Sequence, residues 1–127
     1  MQRWKMVFRR DFKEKLRQIQ AEYDRYKATD RLINLQQAGE KLFSAVENYL
    51  MLKYEERKYS YGALIGMKRM GGKDRVWLAN AAALHEFFYN ADADETRDRD
   101  TMEIIFKDIF DKLKHRMRMR EVDMEVV

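Results

Sequence analysis

Trp4, Phe8, Phe12, Leu16, Ile19, Tyr23 and Tyr26 fall three or four residues apart. That spacing puts them on one face of an α-helix, with Arg, Lys, Glu and Gln left for the opposite face. A second stripe follows the interruption at Thr29-Asp30: Leu32, Leu35, Ala38, Leu42, Ala45, Tyr49 and Leu52. Short polar side chains accept hydrogen bonds from free backbone N–H groups, so Thr29 and Asp30 can cap a helix there. The two segments make a helical hairpin, or one long bent helix if the cap is weak. Periodicity ends at Ser60-Tyr61-Gly62, and a short amphipathic piece from Ala63 to Met70 has room for a turn or two. Proline is absent and glycine occurs five times. Its clearest use is Gly71-Gly72, a break after which Asp74 offers an N-cap.

The next helix, Arg75 to Tyr89, is apolar nearly all round: Val76, Trp77, Leu78, Ala79, Ala81 to Leu84, Phe87 and Phe88. Such a helix is expected at the centre of a bundle or in a subunit interface. Residues 90–99 read as an Asp- and Ala-rich loop, ending in an Asp100-Thr101-Met102-Glu103 arrangement that resembles a capping box. The last helix carries Met102, Phe106, Ile109, Leu113 and Met117. The fold class expected is therefore all-α, an up-and-down bundle of four to five helices. Residues 1–120 form one domain, and 121–127 a frayed tail.

Composition narrows the functional classes. Without cysteine the chain has neither a disulfide nor a thiolate metal site. Met1 to Lys5 lead into mixed charge rather than an apolar run, and no stretch has the length of a membrane span. The expectation is a soluble cytoplasmic protein with no membrane role. Gly71-Gly72-Lys73 is too short for a phosphate loop. Glu86 points about 100° away from its neighbour His85 on a helix, and His115 sits among Lys114, Arg116 and Arg118, so no metal and no cofactor is expected. Charged residues of both signs make up 38% of the chain, and the net charge is +4. That permits an acidic partner without demanding one.

The strongest basic cluster runs from Lys112 to Arg120. Its cations either hold phosphates or offset the dipole at a helix C-terminus, and the second role is the commoner. His85 shares a helix face with Leu78, Ala81, Ala82, Phe88 and Tyr89, where a histidine is more often a packed residue than a catalyst. Imidazole nonetheless exchanges a proton near neutral pH, so His85 is the candidate acid or base, with Arg75 as its phosphate-binding companion. Asn80, Glu86, Tyr89, Arg116, Arg118 and Arg120 are the candidate ligand contacts.

Two stretches carry a resemblance. Gln37-Ala38-Gly39-Glu40-Lys41-Leu42-Phe43-Ser44-Ala45-Val46-Glu47 resembles the signature helix of a family of small archaeal helical proteins expanded as repeated paralogues. Trp77, followed by Ala81-Ala82-Ala83-Leu84-His85-Glu86-Phe87-Phe88-Tyr89, resembles that family's second landmark. The family is similar to the HEPN (higher eukaryote and prokaryote nucleotide-binding) superfamily. The resemblance implies a HEPN-like bundle, often homodimeric, that serves as a binding or regulatory module for RNA, nucleotide or a protein partner. The setting it implies is toxin–antitoxin or defence, with a nucleotidyltransferase or antitoxin as partner. It also raises a metal-independent endoribonuclease using His85, beside a third reading, a structural homodimeric adaptor. The nuclease pattern, Arg then four to six residues then His, is not present: Asn80, Ala79 and Leu78 stand at those spacings before His85.

Overall fold

The computed structural model describes residues 3–57, 60–90 and 96–118. Every regular element among them is helical: α1 (Arg3–Thr29), α2 (Leu32–Lys53), α3 (Tyr61–Ile65), α4 (Gly72–Asn90) and α5 (Thr96–Arg118). The all-α bundle expected from the periodicity is what forms. Helices α1 and α2 are separate and antiparallel, with Lys5 paired to Glu55, Phe12 against Tyr49 and Lys41 paired to Glu22. Asp30 turns the chain between them at φ 56°, a left-handed conformation that aspartate tolerates better than most residues. Thr29 Oγ1 bonds Arg25 O at 2.7 Å and accepts from Asn34 Nδ2 at 3.0 Å, so the hydroxyl ties the two helix ends together.

The enclosed helix is α2, not α4. Every residue from Ala45 to Leu52 is buried, because α1, α3, α4 and α5 all pack on it. Helix α4 buries Trp77, Leu78, Ala81 and Leu84, but Val76 is 61% exposed and Ala79, Asn80 and Ala83 are open to solvent. Rings link the layers. Trp77 meets Tyr49 edge-on with centroids 5.7 Å apart, and Phe106 of α5 lies 5.1 Å from Tyr23 of α1. Each large apolar side chain so enclosed contributes about 1.5–3 kcal/mol.

Three boundaries differ from the sequence expectation. Helix α2 stops at Lys53, well before Ser60, because Glu55 adopts φ 56° and Glu56 N bonds back to Met51 O at 2.9 Å. Ser60 instead caps α3, its Oγ accepting from Ala63 N. Helix α4 begins at Gly72, which puts Asp74 inside the first turn rather than at the N-cap. Helix α5 begins at Thr96, so Asp100 is already helical and no capping box forms there. Glu103 accepts from Tyr23 Oη at 2.8 Å and pairs with Lys27 at 3.1 Å. Of the expected 90–99 loop, Asn90 and Thr96 to Arg99 are helical, while residues 91–95, like the expected tail 121–127, lie outside the described residues.

Candidate functional site

Arg75 sits in the first turn of α4, below the irregular segment that follows α3. Its guanidinium donates to the carbonyls of Ile65, Met67 (2.6 Å) and Met70 (3.4 Å). A planar group with five donors suits a turn whose carbonyls have no helical partner. Arg75 is thus a strut for residues 65–70. Arg75→Met is expected to lower stability by about 1–3 kcal/mol in denaturant titrations, and Arg75→Lys to recover little of it, because one ammonium does not span three acceptors.

His85 lies ten residues further along α4, about 15 Å along the helix axis from Arg75. The structure therefore does not bring the two candidate catalytic residues together within one chain. The His85 ring stacks on Phe43 of α2 (centroids 4.9 Å apart, planes at 30°), and Nδ1 lies 3.2 Å from Glu40 Oε1. Both partners belong to the Gln37–Glu47 stretch, so the two landmark segments meet at this histidine. The face is only half apolar: Leu78, Ala81 and Leu84 are buried, while His85 and Ala82 are partly exposed. Periodicity alone does not name Glu40 and Phe43 as the partners, although their place in the Gln37–Glu47 stretch is a signal that could have found them.

Asn80, midway along α4, and Arg116 line one cleft. An open cleft of about 440 Å³ is lined by Gly72, Lys73, Val76, Trp77, Asn80, Lys112 and Arg116. Beneath it lies a buried charge cluster. Asp74 accepts from Lys53 (2.9 Å), Arg116 and Tyr54, and the Arg116 guanidinium covers the Trp77 ring at 4.1 Å. Burial pushes the Asp74 carboxyl upward in pKa, but the donors Tyr54, Lys53 and Arg116 outweigh it and hold the group below its ordinary value. Arg116 thus serves an internal carboxylate more than it offers a free cation. The Asp74–Arg116 pair is invisible to local sequence patterns because 42 positions separate the partners.

A second cleft of about 490 Å³ continues from Asn80 past Ala83, Leu84, Thr101, Ile104 and Ile105. Ile104 is 69% exposed there. Glu86 is exposed on α4, one turn beyond Ala82. The side chains of Tyr89 and Arg118, and all of Arg120, lie outside the described residues. Among the described residues, no three His, Asp or Glu side chains converge as metal ligands would, and no helix is long and apolar enough to cross a membrane. No family model, curated protein or solved structure matches the chain.

Proposed function

We propose that the chain is a HEPN-like helical binding module that works as a homodimer, with α4 and α5 forming the shared face. One observation carries the reading: this face is an apolar strip with opposite charges at its two ends. Val76, Ala79, Ala83, Ile104 and Ile105 are exposed along its middle. Lys73 and Lys112 stand at one end, Lys112 paired with Asp108 at 3.0 Å, and Glu86 and Asp100 stand at the other. Helices α4 and α5 run antiparallel, Trp77 reaching Ile109 O and Asp74 reaching Arg116, so the two cations share an end and so do the two carboxylates. A two-fold axis through the middle of the strip sets each copy's lysines against the other's acids and buries the isoleucines between them, as an isologous contact requires. Arg75 is occupied by backbone carbonyls, which favours the binding module over the nuclease. The resemblance implies RNA, nucleotide or protein as what the dimer holds.

Size-exclusion chromatography with light scattering tests the arrangement. Wild type is expected as a dimer, and Ile104→Arg as a monomer with an unchanged melting profile, the dissociation constant rising at least about 30-fold, as for a central interface residue. Reversing Lys73 and Lys112 to Glu weakens the dimer, and adding Glu86→Lys with Asp100→Lys to the same chain restores it. A monomeric wild type, or an Ile104→Arg protein that remains dimeric, overturns the proposal.

A further inference from the structure

Besides the cluster from Lys112 to Arg120, positive charge gathers along α1. Residues 3–17 hold seven Lys or Arg against two Asp or Glu, a larger excess than the +4 of the whole chain. Helix α1 sorts these cations by direction. Arg9 is buried, Lys15 is partly buried, and Lys5 pairs with Glu55. Arg3, Arg10, Lys13 and Arg17 are all exposed. At 100° per residue they fall within about 80° of one another, a stripe about 21 Å long. Little neutralises it. Arg10–Asp11 at 3.5 Å and Arg17–Glu14 are solvent-exposed pairs of the kind that contribute little. Arg3 and Lys13 make no ion pair among the described residues.

We infer that this stripe docks the phosphodiester backbone of duplex nucleic acid. Four cations held in line on a rigid helix match a polyanion that presents a phosphate about every 3.4 Å along each strand. The stripe offers charge for phosphates but no ring for stacking. Trp4 and Phe8 pack against each other edge-on at 5.4 Å, and Phe12 is buried. Single strands are held largely by stacking, so the duplex is the better fit, bound without regard to sequence. A membrane is the poorer occupant, because a surface helix inserts a whole apolar face, and the apolar face of α1 (Phe8, Phe12 and Ile19) already packs in the core. A protein partner calls for an apolar centre, and Met6 is the one large apolar side chain within the stripe. The inference rests on the reading of the chain as a binding module but uses a different helix from the dimer strip.

Fluorescence anisotropy with labelled 20-base-pair RNA and DNA duplexes, a 20-nucleotide single strand and phosphatidylserine vesicles tests it. Duplex affinity is expected to fall about 100-fold between 50 and 200 mM salt, with a log–log slope between about −3 and −4 for four phosphate contacts. Combined Arg3→Gln, Arg10→Gln, Lys13→Gln and Arg17→Gln removes that salt-dependent binding, and each single change reduces the slope by about 0.9. Combined Lys107→Gln and Lys114→Gln, exposed cations of α5, leaves it unchanged. Circular dichroism melts confirm folding, and the single variants decide should the quadruple one not fold. Repeating the titration in Ile104→Arg separates failure of this inference from failure of the dimer. Equal affinity of the quadruple variant, a slope near zero, or tighter binding to the single strand or the vesicles overturns the inference.

Discussion

Asp74→Ala lowers the free energy of unfolding at pH 7 by about 3–5 kcal/mol, as expected when one partner is removed from a buried charge cluster. The cluster is built from three parts of the chain: Lys53 at the end of α2, Asp74 in the first turn of α4 and Arg116 near the end of α5. Both cations face one carboxylate whose side chain is 7% exposed. Without it, Arg116 remains over Trp77 with no anion to meet, and Tyr54 Oη loses its acceptor. The order matters as much as the size. Arg116→Ala costs less, because Asp74 keeps Lys53 and Tyr54, and Lys53→Ala least, because that ammonium is the most exposed of the three. Equal losses from Asp74→Ala and Lys53→Ala in urea titrations would show that the carboxylate does not organise the cluster.

Glu47 gives the second large effect, with the opposite dependence on pH. It is 6% exposed among the apolar residues of α2, and burial raises its carboxyl to about 7, with nearby Lys15 only partly offsetting the desolvation. Below about pH 4.5 the group is protonated in the folded and unfolded chains alike and imposes no penalty. Between there and pH 7 the unfolded chain ionises first, so stability falls as pH rises, by about 3 kcal/mol once the folded form has ionised too. Glu47→Gln is therefore expected to match wild type near pH 4.5 and exceed it by about 3 kcal/mol at pH 8. Asp74 and Glu103 are held below their ordinary values and lose their contribution as pH falls through the acid range. They act equally in both proteins, so the difference isolates Glu47. A constant difference from pH 4.5 to 8 would place the cost in packing rather than ionisation.

The helices were legible because their apolar residues repeat at helical spacing and little else in the chain does. Leu32 to Leu52 and Trp77 to Leu84 needed no tertiary information. The end of α2 was not legible: Glu55, Glu56 and Arg57 are ordinary helix formers, and the stop is a positive φ at a non-glycine residue. The start of α5 was hidden by its acidic residues, which read equally well as loop. At the site, the sequence named His85, Asn80 and Arg116 but could not tell which were already engaged. Glu40 and Phe43 at His85, and the carbonyls held by Arg75, come from other turns of the fold. The basic stripe of α1 went unread, although Arg3, Arg10 and Arg17 stand at seven-residue spacing, because a modest overall charge masks a local excess.

Because α2 is enclosed by partners on both sides of it in the sequence, synthesis leaves it half covered for a time. Helix α1 emerges first and shields one flank. The flank that finally meets α5 waits for that helix, roughly 65 residues later. At about 5–20 residues per second, that interval is about 3–13 seconds. Aggregation of the nascent chain is thus governed by elongation rate between α2 and α5, and slowing translation there lengthens the exposure without altering the stability of the finished protein.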